Sequence, residues 1–125
     1  MLEDADWGER SVAERTSRLH AVLQGEATIA STGNATSQAA LDVFRAVAAL
    51  RPRYGERAFG PYIISMSRSA ADALAVLALA RLAGCVEGET VPLDIAPLFE
   101  TIADLDAAAE TCARCSPIRS IARTW

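Results

Sequence analysis

The sequence predicts a helix-rich α/β fold with two parallel strands, at about 62–66 and 93–99. The first is a continuous apolar run, which is typical of a strand covered on both faces. A nearly all-apolar helical segment follows and ends at Gly84, a residue well suited to terminating a helix. The second apolar run comes after a short acidic linker, so strand, crossover helix and strand form one parallel βαβ unit.

The residues before the first strand predict two amphipathic helices. Residues 11–24 place apolar side chains on one face, and Ser11 with Glu14 fits a capping box. Residues 37–50 carry a second apolar stripe, which Pro52 is expected to end. The Gly, Ser, Thr and Asn residues of 25–35 predict a loop between the two helices.

The residues after the second strand predict a helix over 102–113, because Thr101 and Asp104 form an N-cap pattern. Glu100 lies between the strand and this helix. Enzymes with parallel α/β barrels place metal ligands and catalytic groups at the carboxyl ends of their strands. Asp72 falls in a similar N-cap pattern, where we expect it to stabilise the start of the crossover helix.

Length and composition exclude several classes of protein. A chain of 125 residues forms one domain at most, and a complete eight-stranded barrel needs about 250 residues. The net charge of -4, with no Lys/Arg cluster, argues against nucleic-acid binding. No signal peptide is visible, and the longest apolar stretch, 73–80, is too short to span a membrane. We therefore predict a cytoplasmic protein with neither nucleic acid nor membrane as a partner.

The three cysteines do not predict a disulfide framework, because their number is odd. Cys112 and Cys115 form a lone C-x-x-C, and a zinc site would need a second ligand pair. The single histidine, His20, is distant in sequence. We predict neither metal binding nor redox chemistry for the cysteine pair.

From about residue 14 to residue 110 the chain resembles the phosphoenolpyruvate carboxylase family. The resemblance is carried by three blocks: ALDVFR at 40–45, YIISMS at 62–67 with Asp72 and LAV at 74–76, and PLFET at 97–101 with Asp104 and Leu105. Ala71 and Ala73 depart from the family's usual Ser and Val around Asp72. The PLFET block is the most specific of the three.

The resemblance implies a partial (β/α)8 TIM-barrel piece. Residues 1–125 would form a single partial domain, with 11–54 as a helical lead-in and 59–113 as a βαβα barrel segment. The family is a carbon–carbon lyase that joins bicarbonate to phosphoenolpyruvate, giving oxaloacetate and phosphate. This reaction fixes carbon and supplies the tricarboxylic acid cycle. The intact enzyme uses Mg²⁺ or Mn²⁺ and is expected to be a homo-oligomer.

By the same resemblance Glu100 is one of two carboxylates that hold the metal. Without the resemblance, Glu100 would be interpreted as an acid that favours the start of a helix. The chain lacks the family's Gly-His-Pro-Thr-like motif, so His20 does not inherit the catalytic role, and no catalytic or cofactor-binding residue is predicted. Ser65 and Ser67 could face a pocket, and Arg68 could meet a phosphate or lie exposed.

The segment 111–125 is predicted to be a frame-shifted tail. With GC-rich codons, one inserted nucleotide before the Cys112 codon restores an apolar helical pattern that resembles the family's continuation. We therefore expect the chain alone to be inactive and to bind metal weakly or not at all. Two alternatives are a non-catalytic α/β interaction module and a different Mg²⁺-dependent barrel enzyme acting on phosphoenolpyruvate or pyruvate. The Leu-Phe-Glu-Thr block counts against the second.

Overall fold

The computed structural model describes residues 6–27 and 35–115 as helices arranged with one two-stranded parallel sheet. In chain order the elements are α1 (Val12–Leu23), α2 (Ala35–Tyr54), a 3₁₀ turn (Glu56–Ala58), β1 (Tyr62–Ile64), α3 (Ala70–Leu82), β2 (Ile95–Pro97), α4 (Ile102–Asp106) and α5 (Ala108–Cys115). The predicted helix-rich α/β fold is confirmed. Most of the predicted loop, at 28–34, and the part of the predicted tail after 115 lie outside the described residues.

The two strands pair in parallel, with Tyr62 opposite Ile95 and Ile64 opposite Pro97. Both strands are shorter than the predicted 62–66 and 93–99. The first strand stops early because Met66 has a φ of 55°, which is incompatible with an extended chain. The parallel pairing through the crossover helix α3 agrees with the prediction.

Helix α3 forms the centre of the core. Its side chains Leu74, Leu77 and Ala78 are fully buried, and α1, α2 and α5 all pack against it. Burying one such leucine contributes about 1.5–3 kcal/mol relative to exposing it. This explains why the segment is apolar on every face: three helices cover it. The ring of Phe44 on α2 lies 5.3 Å from that of Tyr62, which connects the helices to β1.

Helix α2 ends later than Pro52 predicts. The proline lies inside the last turn, and the helix continues to Tyr54. Proline removes one amide donor, a loss that is small this close to the end of a helix. The helix stops at Gly55, which has a φ of 82° and donates its N–H to the Arg51 carbonyl at 2.9 Å.

The predicted caps are present at α1 and α4. Ser11 Oγ accepts from Glu14 N, and Thr101 Oγ accepts from Asp104 N at 3.1 Å. The helix predicted over 102–113 is divided at Ala107 into α4 and α5. Helix α5 runs to Cys115, into the predicted tail of 111–125, because Thr111 and Cys115 are buried.

Candidate functional site

The carboxyl ends of β1 and β2 lie side by side, since the strands are parallel and in register. Residues 65–67 leave β1 and residues 98–100 leave β2 at this one edge of the sheet. We call these six residues the carboxyl edge. It is the position at which parallel α/β proteins bind their ligands.

Three hydrogen bonds join the two strand ends, and two of them connect residues of the carboxyl edge. Leu98 N donates to the Ile64 carbonyl at 2.9 Å, and Ser67 N donates to the Leu98 carbonyl at 3.1 Å. Met66 N donates to Oε1 of Glu100 at 3.2 Å. The two connections therefore hold each other in place through backbone groups and one carboxylate.

Glu100 is the single acid of the carboxyl edge, and its side chain is exposed. The structure thus places it at the end of a parallel strand, beside the end of the neighbouring strand. Within residues 6–27 and 35–115, no group of three or more His, Cys, Asp or Glu side chains could hold a metal ion. Glu100 therefore stands at this edge as a lone exposed carboxylate that accepts one backbone hydrogen bond.

The two serines of the carboxyl edge differ in burial. Ser65 is exposed, whereas Ser67 is only 1% exposed and its Oγ has no hydrogen-bond partner. A buried hydroxyl without a partner is rare, because its lost hydration is not replaced. Sequence reasoning named Ser67 as a residue that could face a pocket but could not predict its burial.

Asp72 has the structural role predicted for it. Its Oδ2 accepts from the backbone N–H groups of Arg68 and Ser69, both at 2.9 Å. The carboxylate is therefore engaged at the start of α3 and is not directed to the carboxyl edge. The Arg68 side chain is exposed.

His20 lies on α1, Cys85 follows α3, and Cys112 and Cys115 lie on α5, so none of them belongs to the carboxyl edge. His20 is half-buried on α1, which packs against α3. Burial, together with the nearby Cys112, raises the pKa of Cys115 to about 11. Burial also raises the pKa of Cys112. Since thiolates are the reactive and metal-binding form, these shifts oppose redox and metal chemistry at neutral pH.

A cavity of about 380 Å³ lies at the opposite end of the strands. Its wall includes Arg51, whose guanidinium pairs with Glu56 at 2.9 Å and Glu87 at 3.0 Å. Sequence reasoning did not find this cluster, because Glu87 is 36 residues from Arg51 in the sequence. The pairs neutralise the arginine within the protein.

The parallel βαβ unit, with a carboxylate at its carboxyl edge, makes this a helix-rich α/β protein. The family model described as phosphoenolpyruvate carboxylase matches residues 1–123. The phosphoenolpyruvate carboxylase of Xanthomonas campestris pv. campestris (strain 8004) is 44% identical over 114 residues. That of Synechococcus sp. (strain WH7803) is 36% identical over 112 residues. The chain therefore belongs to the phosphoenolpyruvate carboxylase family.

The matches cover most of this chain but little of each relative. The Xanthomonas alignment spans 88% of the chain and 12% of the relative, and the Synechococcus alignment spans 86% and 11%. No solved structure was found to match the chain. Among the described helices, none combines the length and apolar character needed to cross a membrane.

Proposed function

We propose that residues 59–113 form one portion of a (β/α)8 barrel, preceded by the helical lead-in of 11–54, in an enzyme that carboxylates phosphoenolpyruvate. Bicarbonate and phosphoenolpyruvate give oxaloacetate and phosphate, a step that fixes carbon and supplies the tricarboxylic acid cycle. The observation that carries the proposal is the position of Glu100 at the carboxyl edge of a parallel pair in a chain of this family. We further propose, from the family resemblance, that the whole enzyme acts in the cytoplasm as a homo-oligomer.

Glu100 is the residue proposed to hold Mg²⁺ or Mn²⁺. The carboxylate of Glu100 is a suitable ligand, because proteins usually bind Mg²⁺ through one or two carboxylates. Water and substrate oxygens fill the remaining coordination positions. When bound, the ion supplies Lewis-acid stabilisation for the charge that develops on the enolate oxygen. Glu100 contributes the negative charge and a fixed position at the strand end.

This segment supplies one metal carboxylate and no proposed catalytic residue. Effects of groups that act together are strongly non-additive, so one member of a catalytic set retains almost none of the rate. We therefore expect the 125-residue chain by itself to form no oxaloacetate. Phosphoenolpyruvate and bicarbonate are therefore proposed as substrates of the whole enzyme.

The second candidate is a non-catalytic α/β module that binds a protein partner. Exposed apolar side chains favour it: Ile102 is 82% exposed and Leu105 is 63% exposed. Large exposed apolar surface often marks an interaction site. The same surface would be covered inside a complete barrel.

A segment exchange tests the proposed function. Residues 11–113 of this chain replace the corresponding stretch of the Xanthomonas campestris enzyme, and oxaloacetate formation from phosphoenolpyruvate and bicarbonate is measured. The exchanged enzyme should be active, and the 125-residue chain measured beside it should be inactive. A folded but inactive exchanged enzyme would favour the interaction module. Carboxylation by the short chain would overturn the proposal that this segment needs the rest of the enzyme for activity.

A further inference from the structure

The hydrogen bonds between β1 and β2 follow the regular parallel pattern up to Ile64 and then shift by one residue. Ile64 pairs with Pro97, and its carbonyl accepts from Leu98 N. The two-residue repeat of a parallel ladder would next bring Met66 N to the Leu98 carbonyl. Ser67 N takes that acceptor instead, at 3.1 Å. The first strand therefore contains one more residue than its partner over this stretch. The extra residue is Met66, and the arrangement is a β-bulge.

The bulge accounts for the unusual backbone of Met66. Its φ of 55° is in the left-handed region, and among the described residues other than glycine it alone has a positive φ. This region is unfavourable for a side chain larger than glycine's, and residues held there cluster at functional sites. The left-handed turn removes the Met66 N–H from the ladder and directs it to Oε1 of Glu100 at 3.2 Å.

We propose that Met66 is a positioning residue, because the bulge that it forms turns its N–H onto Oε1 of Glu100 and leaves Oε2 to bind a divalent cation. This inference rests on the proposed metal role of Glu100. Bulges are over-represented next to active sites and at the rims of barrels, where they re-aim neighbouring groups. The donor is a backbone amide, so the arrangement depends on the conformation at position 66 and not on the methionine side chain itself.

The arrangement suits the demands of Mg²⁺ and Mn²⁺. Mg²⁺ requires near-ideal octahedral geometry, which a freely rotating carboxylate holds poorly. With Oε1 engaged by Met66, Oε2 is the oxygen with no hydrogen-bond partner among the described residues. Removing a group that hydrogen-bonds to a metal ligand and orients it typically changes metal affinity about 10–100-fold.

Two substitutions at position 66 separate conformation from side chain. Met66→Gly adopts a positive φ freely and should keep the bulge. Met66→Val strongly disfavours the left-handed region, so the N–H should return to the ladder. Ile63→Val introduces the same side chain at an exposed position of β1 outside the carboxyl edge and is the matched control.

The first measurement uses Mn²⁺ with the 125-residue chain, since line broadening in NMR spectra detects weak and local binding. The NMR signals of backbone amides near Glu100 should broaden in the parent, in Met66→Gly and in Ile63→Val. Met66→Val should need about 10-fold more Mn²⁺ for equal broadening. If Glu100→Gln leaves the broadening unchanged, the metal role of Glu100 fails and the inference fails with it. If Glu100→Gln weakens the broadening but Met66→Val does not, the positioning role alone is overturned.

The second measurement does not depend on whether Met66→Val folds. Hydrogen exchange of the Met66 amide is compared in the parent and in Glu100→Ala, a change at an exposed side chain. Loss of the acceptor should speed exchange about fivefold, the effect of one hydrogen bond. Equal exchange rates in the two proteins would overturn the inference, whatever the metal result.

Discussion

Nε of Arg51 at the end of α2 donates to Oε1 of Glu87 at 3.0 Å, across 36 residues of sequence. The same guanidinium pairs with Glu56 at 2.9 Å, and the Arg51 side chain is only 12% exposed. Burial opposes the charge of Arg51, but the pairs with Glu87 and Glu56 outweigh this and raise the pKa of the guanidinium. The ion pair with Glu87 connects α2, the second helix of the helical lead-in, to the loop before β2.

Replacing Arg51 should destabilise the protein more than replacing an exposed arginine. We expect Arg51→Met to lower the free energy of unfolding by about 1–2 kcal/mol, because two carboxylates lose their partner. Urea denaturation followed by circular dichroism measures the change. The matched control is Arg57→Met at an exposed position nearby, which should change stability by less than about 0.5 kcal/mol. Equal effects of the two substitutions would show that the Arg51 pairs contribute nothing.

Removing the buried hydroxyl of Ser67 should stabilise the chain. Ser67 Oγ is buried without a partner, so Ser67→Ala eliminates an uncompensated loss of hydration. We expect a gain of about 1 kcal/mol in the free energy of unfolding, and almost no change for Ser65→Ala at the exposed neighbour. Thermal and urea denaturation measure both. A loss of stability in Ser67→Ala would mean that the hydroxyl is hydrogen-bonded in solution.

Stability should fall in alkaline solution because of Cys115. Burial and the nearby Cys112 raise the pKa of Cys115 from 9.0 to about 11, so the unfolded chain loses this proton at lower pH than the folded chain does. The free energy of unfolding should therefore decrease as pH rises from 9.0 to about 11, by roughly 1–2 kcal/mol.

Cys115→Ala tests the source of this pH dependence. The decrease should become shallower in Cys115→Ala, and the remaining slope should include Cys85, whose pKa burial also raises. Cys112→Ala removes a less buried thiol of the same helix and should change the slope less. Urea denaturation at a series of pH values measures all three proteins. Parallel profiles for Cys115→Ala and the parent would contradict the assignment.

The exposed apolar face of α4 should bind a hydrophobic dye. Ile102 and Leu105 are spaced three residues apart and so lie on one side of this helix. We expect strong dye fluorescence with the 125-residue chain and a marked decrease in the double variant Ile102→Ser/Leu105→Ser. The double variant should keep its melting temperature, because both side chains are exposed. Weak dye binding by the parent would indicate that this surface is already covered.

Local sequence patterns predicted the elements whose causes are local. Ser11 with Glu14 and Thr101 with Asp104 mark the helix starts observed, because a cap depends on residues three apart. The apolar run before Gly84 predicted the crossover helix α3, which the structure confirms and places at the centre of the core. The position of Glu100 at the carboxyl edge follows from strand direction alone, so it was also predictable.

The remaining features depend on contacts or conformations that no local pattern encodes. Methionine has no preference for a positive φ, so the bulge at Met66 and the early end of β1 could not be predicted. The pairing of Arg51 with Glu87 joins distant segments. Pro52 suggested an earlier end for α2, because a proline near the last turn and one that stops a helix look alike in sequence.

The central claim is that Glu100 is a metal carboxylate of an enzyme that carboxylates phosphoenolpyruvate. The most direct test is the turnover of the exchanged enzyme, measured against Mn²⁺ concentration, with Glu100→Gln and with the control Glu89→Gln at another exposed position. Glutamine keeps the shape of the side chain but removes the charge that holds the ion. We predict that Glu100→Gln lowers turnover at least about 100-fold while Glu89→Gln stays within about twofold of the parent. Near-parental turnover of Glu100→Gln at the same Mn²⁺ concentration would contradict the claim.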